Sequence, residues 1–415
     1  MKGVMTVDIS AVRDQFPALR RVVGGRTAAY LDGPGGTQAP ESVIEAMAAF
    51  MRAGGSNHGG PFASSRETDA ATESARSAIA DLFGASSDEI AFGQNMTSLT
   101  LSVSRALGAT WTPGDNVIVT RLDHDADVWP WVIAARDAGA EVRWLDFDPN
   151  DGCRLMTESL VDLIDDRTRL VAMTHASNAV GTITDPKPVI DAAHAVGALT
   201  YIDAVHYSPH GLVDVAALGT DFLAASAYKF FGPHTGCLYG RREVLETIEA
   251  YKIRPAPDTP PDKWETGTQS FESLAGVAAA VDYLASLGSG ETRRDQLRSA
   301  MERIGSYEQT LSERFLLGIS EIPGVTLYGR NTSSGRTPTF AVSVDGTHPD
   351  NVAEILGDQG IFVWSGDYYA VEVMRRLGVA DQGGLVRIGF AHYNTIEEVD
   401  RVLTALEQLG SGSPS

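Results

Sequence analysis

Cysteine is nearly absent from this chain: two in 415 residues, Cys153 and Cys237. So sparse a supply builds neither a disulfide framework nor a cysteine-rich zinc site. Long apolar runs are missing as well, and no stretch approaches the ~18 consecutive apolar residues that a membrane-spanning helix needs. Positive charge is scarce, with 33 Lys and Arg against 54 Asp and Glu, for a net charge of −21. That balance argues against nucleic acid or an anionic membrane as a partner, because both need basic patches. It leaves room for a small anionic ligand held by a few local cations. The opening MKGVMTVDISAVRDQFPALRR carries acidic residues early and has no unbroken apolar core, unlike a signal peptide. The expected location is the cytoplasm.

What is present is ordinary for a globular protein: 43% apolar and 21% charged residues. The length exceeds what one hydrophobic core usually serves, so a large and a smaller domain are expected. Between residues 90 and 240, β-rich runs alternate with helical patterns. The strand candidates are Glu89–Phe92, Asn116–Thr120, Glu141–Leu145, Leu170–Thr174, Leu199–Asp203, Phe222–Ala225 and Gly236–Tyr239. Helical periodicity falls on Thr97–Leu107, Val128–Ala138, Thr157–Leu163 and Pro188–Val196. Such alternation predicts an α/β fold with a mostly parallel, seven-stranded sheet covered on both faces.

The Pro-rich stretch Arg254–Trp264 reads as an ordered surface loop. Beyond it come long helices over Ser273–Leu287 and Thr292–Leu317. Strands at Thr339–Val344 and Leu385–Gly389 then mix with helices at Pro349–Gln359 and Ile396–Glu407. The expected organisation is an N-terminal arm (1–30) with a helix over Val7–Leu19 that joins the small domain. The large domain (31–285), a smaller α+β C-terminal domain (286–410) and a flexible tail (411–415) follow. No internal repeat is present.

Parallel sheets bind ligands at the carboxyl ends of their strands, and there lies Lys229, in SAYKFFGPHTG. A lysine at the end of a buried strand, beside two phenylalanines, is poorly explained as solvated charge. Burial disfavours the ammonium and frees an amine for Schiff-base chemistry. The carbonyl partner that suits the rest of the chain is pyridoxal 5′-phosphate (PLP). PLP asks for a lysine, an acid at its pyridine nitrogen, a platform under its ring and a phosphate cradle.

Each demand has a candidate, and each candidate has a plainer use. Asp203, ending the strand in TYIDAVH, can hold the pyridine nitrogen protonated or simply cap a helix. His124, in LDHDADVWPW, can stack on the ring or be a structural loop histidine. His206 and Asn178 could reach the phenolic oxygen; Asn178, near Gly181, could equally be a turn residue. The cradle would be GQNMTSLT, a strand-to-helix turn offering the Met96 amide and the Thr97 and Ser98 hydroxyls, or only a helix cap. Ser226 and Tyr228 flank Lys229 and could add phosphate contacts.

The order of these segments, ending in WETGTQ and VRIGFAHYNTIEEVDRV, resembles the fold-type I, class V aminotransferase superfamily. The nearest branch is that of the group II cysteine desulfurases and selenocysteine lyases. The likeness runs from YLDGPGGTQAP to the end of the folded chain. It implies the PLP fold type I, with Lys229 as Schiff-base lysine, His124 as platform and Asp203 at the pyridine nitrogen. Asn178 and His206 then fall near the phenolic oxygen, His206 standing where the family usually has glutamine. Ser226 and Tyr228 take phosphate positions, Tyr228 in place of a usual histidine. Thr268 matches a residue that reaches the phosphate of a neighbouring subunit, which implies a homodimer with shared active sites. Arg387 matches the arginine that clamps the substrate α-carboxylate, a bidentate task suited to guanidinium.

One departure governs the functional reading. Desulfurases carry a nucleophilic cysteine on a loop shortly before that arginine. Here the stretch is IFVWSGDYYAVEVM, Ile361–Met374, with Tyr369 or a neighbour in the cysteine's place. Neither Cys153 nor Cys237 is placed to substitute, and the family's Gly-rich loop before WETGT is replaced by KIRPAPDTPPDK. The expectation is that cofactor chemistry is kept while the substrate has changed. Trp364, Tyr369, Asn178 and His58 are the candidates for reading a substrate, beside Arg387.

With Lys229 as base, loss of the Cα proton and expulsion of a Cβ substituent would cleave a cysteine S-conjugate to thiol, pyruvate and ammonia. A C–S β-lyase of secondary metabolism, akin to enzymes of lincosamide-type antibiotic pathways, is therefore the leading expectation. Decarboxylation-coupled oxidative deamination, transamination, desulfurase-like chemistry and epimerisation stay open on the same scaffold. A non-enzymatic scaffold is the alternative from another class.

Overall fold

Strands buried on both faces read as continuous apolar runs, and such runs form most of one seven-stranded sheet, whose edge strand Glu141–Leu145 is partly exposed. In the computed structural model, which describes residues 8–411, the strands are β1 (Ile90–Gly93), β2 (Asn116–Thr120), β3 (Glu141–Leu145), β4 (Thr168–Thr174), β5 (Leu199–Asp203), β6 (Phe222–Ser226) and β7 (Gly236–Gly240). Their spatial order is β1-β7-β6-β5-β4-β2-β3. Only β7 runs against its neighbours β1 and β6, and the other pairs are parallel.

Side chains alternate between the two faces along each strand, and so feed two separate cores. Val171, Met173, Leu223 and Ala225 enter one. Leu170, Ala172, Phe222 and Ala224 enter the other. Full burial of a residue such as Phe222 stabilises the fold by roughly 1.5–3 kcal/mol.

A second sheet follows the long helix Arg293–Ile319. Its strands β8 (Val325–Tyr328), β9 (Thr339–Val344), β10 (Trp364–Gly366) and β11 (Leu385–Gly389) lie antiparallel in the order β8-β9-β11-β10. A third core beneath it holds Phe315, Phe340 and Phe390. The N-terminal segment joins this sheet's neighbourhood. Ala29–Tyr30 pair in parallel with Ile361–Phe362, and Asp32 bridges to Gly389.

The strand expectations match these bounds to within two residues. The N-terminal helix does not run as expected. Within the described residues it spans Ile9–Asp14, and a 3₁₀ turn covers Pro17–Arg20; Val7 lies outside the described residues. Proline at 17 forces Phe16 into an extended conformation, and Phe16 is fully buried against Tyr283 and Tyr393. Thr157–Asp162 is likewise 3₁₀ rather than α. The last helix runs on to Gly410, past the expected end at Glu407. Two helices, Glu41–Arg52 and Ala63–Phe83, were not anticipated.

Candidate active site

A cavity of about 550 Å³ opens at the carboxyl ends of the parallel strands. Three parts of the chain build it. Thr174, Asp203 and Ser226 end β4, β5 and β6, and Lys229 sits on the 3₁₀ turn that follows β6. Pro34 and Gly35 come from the N-terminal segment. Trp364, Tyr368, Tyr369 and Arg387 come from the second sheet and its loop.

Lys229 is wedged rather than solvated. Its ammonium donates to the carbonyls of Pro34 and, at 3.0 Å, of Gly35, while Phe230 and Phe231 behind it are fully buried. Burial, then the positive charge of Arg387, draws its pKa down to about 7, against the pull of Asp203 and Asp32. An amine so placed is partly neutral at physiological pH.

Asp203 is buried and accepts a hydrogen bond from the Val205 N–H at 2.7 Å. Burial raises its pKa to about 6, with Val205 and Lys229 working the other way. Two further buried carboxyls, Asp123 and Asp127, lie behind it, and burial pushes both well above the usual carboxylate range. His124 follows β2, and its Nδ1 accepts the Ala126 N–H at 3.0 Å, which places any ring proton on Nε2. Burial, Lys229 and Arg387 together lower its pKa to about 3, so the ring is neutral.

The strand-to-helix turn is a capped helix start. Asn95 caps the helix Met96–Gly108 by accepting from the Ser98 N–H at 2.9 Å. The Met96 N–H instead donates to Ser226 Oγ at 3.0 Å, and Thr97 faces the cavity. Tyr228 stacks on His234 with ring centroids 4.8 Å apart. His206 lines the cavity and meets Thr337 Oγ1 at 3.0 Å.

Arg387 is buried on β11. It donates through Nη1 to the Asn178 carbonyl at 3.0 Å and packs on the Tyr368 ring at 4.4 Å. Its Nε has no hydrogen-bond partner, and neither has Asn178 Oδ1. Burial lowers its pKa to about 10, which still leaves it charged.

The loop above is fixed by its backbone. Tyr368 and Tyr369 both take positive φ, 54° and 57°. The Tyr368 carbonyl accepts from Asn178 Nδ2 at 3.0 Å, and that of Tyr369 from the Asp125 N–H at 2.6 Å. Tyr369 and Trp364 remain well exposed at the mouth. The sequence-derived set is thus gathered into one cavity except for three members. Ser98 does not line it, its hydroxyl donating to the Asn95 carbonyl at 2.8 Å. Thr268 is exposed on the turn after Gly267, and His58 lies in a separate groove with Arg76, Asp262 and Phe271.

Asp32, Asp123 and Thr337 escaped the sequence reading. Asp32 lies in YLDGPGG, and nothing in its spacing connects it with Arg387. Only the bridge from Asp32 to Gly389 does so.

These residues fit PLP. An amine of lowered pKa faces a buried acid, a neutral imidazole and a helix N-terminus, and buried polar atoms of Arg387 and Asn178 wait without partners. The comparisons agree. The family model described as aminotransferase class-V matches residues 29–402. A probable cysteine desulfurase of Mycobacterium leprae is 34% identical over 97% of this chain and 98% of its own. A cysteine desulfurase of Haloferax volcanii is 32% identical over 97% and 96%. Among solved structures, the apo cysteine desulfurase of Thermococcus onnurineus superposes with a TM-score of 0.87 at 30% identity, covering 98% of this chain and 99% of that one. The seven-stranded sheet is that of PLP fold type I, and the chain belongs to the class V aminotransferase family of PLP-dependent enzymes, in its cysteine desulfurase-like part.

Proposed function

We propose that this enzyme is a C–S β-lyase that cleaves a cysteine S-conjugate to a thiol, pyruvate and ammonia. The observation that carries the reading is the absence of any thiol from the residues lining the cavity. Both cysteines are fully buried elsewhere. Burial raises the pKa of Cys153 to about 11 and that of Cys237 further still, so neither supplies a thiolate. Without a thiolate there is no nucleophile to take sulfur as a persulfide.

Bound at Lys229, PLP supplies an electron sink for charge developing at Cα. Around it, Asp203, fixed by the Val205 N–H, would accept from the protonated pyridine nitrogen, and the neutral His124 ring would lie against the cofactor's face. The Thr97 hydroxyl, Ser226 and Tyr228 would serve the phosphate, and Asn178 and His206 the phenolic oxygen. Arg387 has Nη1 committed to Asn178 and offers its other edge, with the unpartnered Nε, to the substrate carboxylate. Lys229, with its pKa about 7, takes the Cα proton at Nζ. A free clamp edge favours this reading over decarboxylation, which needs the carboxylate turned away from that arginine. Tyr369 and Trp364 would pack on the thioether substituent. The exposure of Thr268 and His58 suits contact with a second copy, in a homodimer with shared sites.

The test mixes holoenzyme with a bulky cysteine thioether and follows pyruvate, free thiol and carbon dioxide. Pyruvate with stoichiometric thiol supports the lyase. Carbon dioxide without pyruvate overturns it in favour of decarboxylation, and alanine with sulfide from cysteine restores a desulfurase.

A further inference from the structure

Asp32 lies within electrostatic reach of both Arg387 and Lys229 and pairs with neither. Its Oδ1 is buried without a hydrogen-bond partner, and no ion pair joins its carboxylate to Arg387 or Lys229. Two backbone contacts place it there. The Asp32–Gly389 bridge sets it two residues from Arg387 along β11. The carbonyls of Pro34 and Gly35, just beyond it, hold the Lys229 ammonium. The ionisable groups facing it are Arg387 from β11, Lys229 from the turn after β6, and Tyr393 from the loop after β11. Asp32 is thus a carboxylate that offsets the Arg387 charge before any substrate enters.

A substrate carboxylate disturbs that balance. It brings a second anion to the guanidinium that Asp32 already helps to neutralise, and two carboxylates around one buried cation do not both stay ionised cheaply. We propose that Asp32 is a positioning residue that balances Arg387 in the empty enzyme and takes up one proton from solvent as an anionic substrate binds. The inference rests on the reading of Arg387 as the carboxylate clamp. Burial already raises the Asp32 pKa to about 6, so the uptake occurs within reach of neutral pH. The substrate then replaces a charge instead of adding one, and the site accepts it without repulsion from below.

The probe is propionate, a carboxylate with no amine of its own, bound to holoenzyme and read by calorimetry between about pH 6 and pH 8. Wild-type affinity should weaken by up to about tenfold per pH unit above pH 6, because binding carries a proton. Asp32→Asn should flatten that slope and bind propionate more tightly than wild type at pH 8. Burial keeps the Tyr393 hydroxyl protonated throughout this range, and in holoenzyme Lys229 is bound to the cofactor. Equal slopes in the two proteins overturn the role of Asp32. Propionate that does not bind, or binds Arg387→Gln equally well, overturns the clamp itself, which is a separate failure. If Asp32→Asn does not fold, wild type alone decides. Binding heats in two buffers of different ionisation enthalpy then reveal one proton taken up, or none, and none overturns the proposal.

Discussion

The ring of Tyr369 stacks on that of His124, with centroids 5.5 Å apart and 30° between their planes. A residue of the second sheet's loop thus covers the imidazole proposed to carry the cofactor. Tyr369→Ala removes that cover but little packing, since its side chain is 71% exposed. Aromatic contacts of this kind contribute about 0.5–1.5 kcal/mol, or about two- to tenfold. KM for a bulky thioether should rise by that factor while the melting temperature stays put. A matching loss of thermal stability would show the ring to be structural.

Lys229 can be tested in the apoprotein, apart from catalysis. Its folded pKa, about 7, lies below the ordinary value of 10.5. The unfolded chain therefore binds more protons between those limits, and the lysine's penalty on folding is full below pH 7 and gone above 10.5. Lys229→Met should raise the apoprotein melting temperature more at pH 6 than at pH 10. The same variant in the presence of PLP should lose at least about a hundredfold in turnover, the lower range for a positioned acid–base group.

Gly35 leaves room for the Trp364 indole, because a Cβ built there would clash with the Nε1 edge of that ring. Gly35→Ala should push the half-exposed indole outward instead of unfolding the chain. Tryptophan emission should shift to the red, and discrimination between thioethers of different bulk should change. An unaltered emission spectrum would place Trp364 elsewhere in solution.

The cysteines give the sharpest contrast with a desulfurase. Cys153→Ala with Cys237→Ala should keep wild-type kcat while costing about 1–3 kcal/mol of stability from two buried side chains. Loss of turnover in a variant that stays folded and loaded with PLP would contradict the thiol-free reading.

The sheet was legible because its inner strands are apolar on both faces, a pattern no surface helix imitates. Lys229, Asp203 and His124 were legible because each lies within a few residues of a strand end, where parallel sheets concentrate polar groups. The helices Glu41–Arg52 and Ala63–Phe83 were not, since Ala63–Phe83 in particular mixes small and polar residues that give a weak apolar stripe. Asp32 was invisible for a different reason. Its meaning comes from Arg387, more than 350 positions away, and a single sequence carries no trace of that proximity. Resemblance to a family located Arg387, while the unpartnered Nε and the αL backbone of Tyr368 and Tyr369 are properties of packing alone.

Trp364 on β10 stands directly across from Arg387 on β11, and cross-strand partners present their side chains on one face. The proposed anchor and the proposed reader of the substituent are therefore adjacent rungs of one ladder, and β10, as an edge strand, is hydrogen-bonded on one side only. Changes along that edge can retune which side chain is accepted without disturbing the anchor beside it. Selection can move such an enzyme from one amino-acid derivative to another through a few outer residues, leaving the bond-breaking machinery untouched.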